Sequence, residues 1–236
     1  MITTDARKIW LLAICHWVVV AALCCLFYPV TMSDTIARYA PMADHFARGE
    51  WAFAFHPRFG VLFQVLAGAV VKSTGLGGDN AVQIVSIGFL SISAVPLWFL
   101  VRRLFDERIA WWAVALMLFS DDMSRYAIDG LRDTGKSLGF ALLGLGVVRK
   151  APAWYAFGLF VLVTLVSYGF AVATVLLFGW CAYWCLARHE RPLFTTFAVP
   201  VAGWSAGTAA VVAMTHAFTG YWLPSPHYIK IFGGAM

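Results

Sequence analysis

Long apolar runs separated by short clusters of charge set the pattern of this chain. Ile9–Thr31 is a run of 23 residues preceded by Arg7 and Lys8. It is too long for a signal-peptide core and right for a membrane span, and no small-x-small cleavage site closes it. The run therefore predicts an uncleaved first transmembrane helix. Three more spans are predicted: Ala81–Val101, ending in Arg102 and Arg103; Ile109–Ser120, running into Asp121 and Asp122; and Thr134–Val148, between Asp133 and Arg149. Pro152–Ala187 holds 36 residues without a charge. One helix of that length would reach about 54 Å, beyond any bilayer, so the chain must turn back. Ser167-Tyr168-Gly169 is the best break, giving spans over 153–167 and 170–187, and Leu193–Met214 adds a seventh.

The segment 34–79 has a different rhythm. Ile36, Tyr39, Met42, Ala43 and Phe46 recur at helical spacing, with Arg38, Asp44 and Arg48 at other positions, the pattern of an amphipathic helix lying in the interface. Phe59–Val71 is 13 residues, roughly 20 Å against a hydrocarbon core of roughly 30 Å. It predicts a re-entrant or interfacial helix, closed by the turn Gly75–Asp79. The expected architecture is all-α: one transmembrane bundle over residues 1–236, with about seven spans and interfacial helices in the first outer loop.

Composition narrows the function classes. Hydrophobic residues make up 61% and charged residues 12%, about half the usual charged fraction near 25%. A soluble enzyme, a nucleic-acid module and a disordered tail are excluded. The net charge of +5 reads as topology. With the N-terminus cytoplasmic, the inner ends carry nine cations (Arg7, Lys8, Arg102, Arg103, Arg108, Arg149, Lys150, Arg188 and Arg191) against four acids. The outer side carries eight of each, spread over longer loops, so the positive-inside rule is obeyed. The five cysteines all lie in apolar runs and read as small packing residues.

Chemistry concentrates on the outer side. Asp34 follows the first span, and Asp121, Asp122, Asp129 and Asp133 follow the third. Carboxylates at a bilayer boundary are costly and usually functional or paired. Two loops could bring them over one cavity, one acid serving as general base and another positioning the acceptor. Alternatively, Arg125, Arg132 and Lys136 neutralise the cluster in a solvated loop. His56 and Arg58 in FHPRFG are a candidate metal ligand and a candidate phosphate clamp. His227 and Lys230 in the aromatic tail are weaker phosphate candidates.

The order of these features resembles the GT-C membrane glycosyltransferases, the group containing the protein O-mannosyltransferases and the aminoarabinose transferases of lipid A. It is carried by one span, an outer loop with an early Asp, RYAPMADHFARGEW and HPRFG, a short helix, RRLFDERIA, an acidic outer loop and a hairpin at SYGF. The resemblance covers about residues 9–216, the N-terminal module of that superfamily. It implies a polyprenyl-phosphate-linked sugar donor, inverting transfer and an active face in the periplasm or exterior of the plasma membrane. Asp34 would match the first-loop catalytic aspartate, and Asp129 or Asp133 the second-loop acid. His56 would match the acid or His before Pro. Arg58, Arg132, Lys136 and Lys230 are the cations available to a lipid phosphate, and a divalent metal is a candidate cofactor. Ser167-Tyr168-Gly169 stands where some relatives carry a Lys, and full-size members have more spans. The second expectation is therefore a non-catalytic or truncated membrane subunit that binds lipid, a partner protein or a missing C-terminal half.

Overall fold

The computed structural model describes residues 4–54, 61–165, 169–186, 193–220 and 222. Among them are helices and no strands. In order these are α1 (Thr4–Phe27), a π-helical turn (Thr35–Tyr39), α2 (Ala40–Ala47), α3 (Trp51–Ala54), α4 (Val61–Thr74), α5 (Gly78–Leu104) and α6 (Glu107–Phe119). Then come α7 (Asp121–Ile128), α8 (Thr134–Val148), α9 (Pro152–Leu165), α10 (Gly169–Leu186) and α11 (Leu193–Thr219).

Three helices among the described residues are long and apolar enough to cross a membrane: Asp5–Phe27, Gly78–Leu104 and Thr195–Ala217. Seven spans are expected; the other four fall on shorter helices. Helices α6, α8, α9 and α10 run 13 to 18 residues, about 20 to 27 Å. The break expected at Ser167-Tyr168-Gly169 falls largely outside the described residues, though α9 and α10 flank it.

Helix α5 is the mast of the bundle, with Val82, Gln83, Ser86, Ile87 and Trp98 fully buried. Helix α1 runs antiparallel to it: Asp5 meets Arg102 at 3.4 Å, His16 Nδ1 is hydrogen-bonded to Ser91 Oγ at 2.8 Å, and the Trp17 indole N–H donates to the Ile84 carbonyl at 2.9 Å. The turn into α6 is capped by Asp106, which accepts from the Ile109 N–H at 2.8 Å, and α6 folds back so that Trp111 meets Trp98. Helix α8 runs parallel to α5, with Thr134 beside Ser86 at one end and Gly144 beneath Leu100 at the other.

Small residues set the remaining contacts, as expected where apolar solvent supplies no drive for helices to associate. A Cβ on Gly146 would stand 2.6 Å from the Tyr155 nitrogen, and one on Gly203 would stand 2.4 Å from the Ala156 carbonyl oxygen. These positions let α8, α9 and α11 approach backbone to backbone. Trp180 and Trp204 tie α10 antiparallel to α11, donating to the Thr196 carbonyl and the Thr174 hydroxyl. Helices α1, α6, α9 and α11 thus run one way, and α5, α8 and α10 the other. The cation-rich turns gather at one end, and Asp34, Asp129 and Asp133 at the opposite end.

The predicted amphipathic face of residues 34–48 is largely observed: Tyr39 and Ala43 are buried, and Met42 and Phe46 half-buried, while Ile36 is exposed. Helix α4 is more enclosed than an interfacial helix, with Phe63, Gln64, Ala67 and Gly68 buried. Its partners α2, α5 and α9 cover that face.

Candidate functional site

The loops at the acid-bearing end are docked on α5 by buried polar side chains. The Gln83 amide donates to the Tyr28 carbonyl at 2.9 Å and to the Ile128 carbonyl at 2.8 Å. Ser86 donates to the Leu131 carbonyl at 2.6 Å. A single turn of one helix therefore holds both the segment after α1 and the segment after α7. Gly130, at φ 69°, completes the docking, because a Cβ there would stand 2.7 Å from Val82.

The two loops are also tied directly to each other. Asp129 Oδ1 accepts from the Thr31 hydroxyl at 2.7 Å and from the Thr31 N–H at 3.2 Å, while Thr35 donates its hydroxyl to the Asp129 carbonyl at 2.6 Å. Asp129 is 4% exposed, and Arg125 Nε lies 4.0 Å from its other oxygen. A buried carboxylate with these partners is a brace between loops.

Asp34 and Asp133 differ from it. The Asp34 side chain is 54% exposed and paired with Arg38 at 2.9 Å. Asp133, 39% exposed, pairs with Lys136 across the first turn of α8. Tyr39 lies within electrostatic reach of both acids and of Arg38 and Arg132. Arg132 sits over its ring at 5.6 Å, and Phe63 packs edge-on at 5.8 Å. Burial raises the Tyr39 phenol above its ordinary value; Asp133 and Asp34 add to the rise, and Arg132 and Arg38 oppose it. Asp34, Asp133, Arg38 and Arg132 thus act on one buried phenol, and Lys136 joins them through its pairing with Asp133.

The structure therefore brings Asp34, Asp133, Arg132 and Lys136 to one end of the bundle and gives Asp129 a bracing place. His56, Arg58 and Lys230 lie outside the described residues. Among the described residues no three His, Cys, Asp or Glu side chains gather to hold a metal ion. Sequence reasoning missed Gln83, Ser86, Thr31 and Thr35. The available signal was a Gln and a Ser three residues apart inside a predicted span, where a polar side chain needs a partner.

A separate apolar groove of about 340 Å³ lies between α1 and α5, lined by Trp17, Val18, Ala21, Ala22, Cys25, Leu76 and Ile84. It follows one face of α1 toward the end that carries the acids. Compared with known family models, curated proteins and solved structures, the chain matches none.

Proposed function

We propose that the chain is a multi-pass plasma-membrane protein with a cytoplasmic N-terminus, and a glycosyltransferase of the GT-C kind. In this reading it moves a sugar from a polyprenyl-phosphate donor to a glycan, lipid or protein acceptor on the outer face. The observation that carries the reading is the Thr31–Asp129 brace, which sets Asp34 and Asp133, far apart in sequence, around Tyr39. The segregation of cations to the opposite end supports the orientation.

The chemistry is a single displacement. Asp34 releases Arg38 and takes the proton of an acceptor hydroxyl as its oxygen bonds to the anomeric carbon. The bond from that carbon to the donor phosphate oxygen breaks with inversion, and the lipid phosphate leaves with the electron pair. Arg132 and Lys136 stabilise the charge that develops there, and Asp133 orients Lys136. The groove beside α1 suits the hydrocarbon chain of such a donor.

Purified protein in vesicles, given a labelled polyprenyl-phosphate sugar and an acceptor glycan, transfers label on this reading. A second reading, a non-catalytic subunit that binds lipid or a partner protein, is favoured by the ion pairs that already engage Asp34 and Asp133. It predicts donor binding without transfer.

A further inference from the structure

We infer that the end of the bundle opposite the acid cluster binds anionic phospholipid headgroups, with the α5–α6 turn at its centre. Among the described residues three carboxylates stand there, and each is engaged. Asp5 faces Lys8 at 3.3 Å and Arg102 at 3.4 Å, Glu107 faces Arg102 at 3.3 Å, and Asp106 caps α6. Arg102 is further fixed over the Trp98 ring at 4.7 Å. Arg7, Arg103 and Arg108 are exposed and have no carboxylate partner among the described residues. Each lies one or two positions from a member of the Asp5–Arg102–Glu107 chain, so all three stand at this end of the bundle. Between Arg103 and Arg108 the turn exposes Leu104 and Phe105, at 56% and 66%.

Cations flanking an exposed apolar pair suit a boundary that is water on one side and hydrocarbon on the other. The patch closes the ends of α1 and α5, two of the helices long enough to cross a membrane. In a bilayer its guanidiniums stand at phosphate level while Leu104 and Phe105 reach the acyl boundary. An arginine fork takes a phosphate through two parallel hydrogen bonds. A zwitterionic headgroup brings its own cation to that phosphate, whereas an anionic one leaves the charge to the protein. A soluble anion would satisfy the arginines but leave Leu104 and Phe105 uncovered, so a lipid is the better complement. Each cation near such a surface is worth about fivefold in affinity.

The test uses the full chain in detergent micelles containing equal phosphatidylglycerol and phosphatidylcholine, with retained lipid read by native mass spectrometry. Phosphatidylglycerol is retained in preference, and Arg103→Gln with Arg108→Gln weakens its binding about 25-fold while phosphatidylcholine binding holds. Arg7→Gln, on a different helix, weakens it about fivefold alone. Equal retention of both lipids, or unchanged phosphatidylglycerol affinity in both variants, overturns the inference. Displacement of the lipid by millimolar inorganic phosphate also overturns it, and points to a soluble anion.

Discussion

Thr31 and Asp129, 98 positions apart in the chain, share a 2.7 Å hydrogen bond from hydroxyl to carboxylate, and the Thr31 N–H reaches the same oxygen at 3.2 Å. The contact joins the segment that carries Asp34 to the segment that carries Asp133. Its carboxylate side is buried, Asp129 being 4% exposed, while Thr31 stands at the surface.

Thr31→Val removes the hydroxyl and leaves the buried carboxylate with one donor fewer. The expected loss is about 1.5–3 kcal/mol, the range for a hydrogen bond to a charged group. Asp129→Ala also strands the Thr31 donors, and its cost exceeds that of Thr31→Val. Thermal unfolding of the two single variants and the double variant gives the coupling directly. Additive effects would mean that the two side chains do not brace each other.

Gly78 tests the docking of α2 on α5. A Cβ there would lie 2.2 Å from the Ala40 carbonyl oxygen and 2.9 Å from the Asp44 carboxylate. In an open helix Gly→Ala stabilises through propensity. Here Gly78→Ala forces two backbones apart and is expected to cost about 1–3 kcal/mol. Gly203→Ala, facing the Ala156 carbonyl, behaves likewise. A raised melting temperature in either variant would contradict the packing.

The Glu50 carboxyl is held below its ordinary value by hydrogen bonds from Arg48 and His45. A lowered acid contributes stability that is complete above the unfolded value, near 4.5, and is lost as pH falls through the folded value. The Phe53 N–H, bonded to the Glu50 carbonyl at 3.0 Å, reports on this turn. Its hydrogen-exchange protection holds at neutral pH and falls as Glu50 takes up a proton in acid. Glu50→Gln flattens that pH dependence.

Arg132 lowers the Tyr39 phenol against the larger effect of burial. Arg132→Ala therefore moves the phenol further up, seen as a later rise of tyrosinate absorbance in alkaline titration. Tyr39→Phe identifies the signal. A downward shift would mean that the guanidinium is not beside that ring.

Much of the helical layout is legible in the sequence because its causes are local. Arg102-Arg103 marks the end of one span, and the structure ends α5 at Leu104 and begins α6 at Glu107. The spacing of Tyr39, Ala43 and Phe46 likewise announces a buried face. Helix length was less legible, since neighbouring helices, not hydropathy alone, decide how far α8 or α9 extends. In the site, the acids are visible as residue types, but their division of labour is not. Asp129 and Asp133 look alike in the chain; Thr31 and Thr35, reached only by folding, make the first a brace and leave the second exposed. Gln83 could be noticed as polar within a span, yet the Tyr28 and Ile128 carbonyls that satisfy it are tertiary facts.

The most direct measurement of the central claim is the rate of sugar transfer from a polyprenyl-phosphate donor by Asp34→Ala, compared with the unaltered chain in the same vesicles. The account predicts a fall of at least about 100-fold, the low end for loss of a general base, with the melting temperature preserved because the Asp34 side chain is half exposed. Equal transfer rates in the two proteins would contradict it.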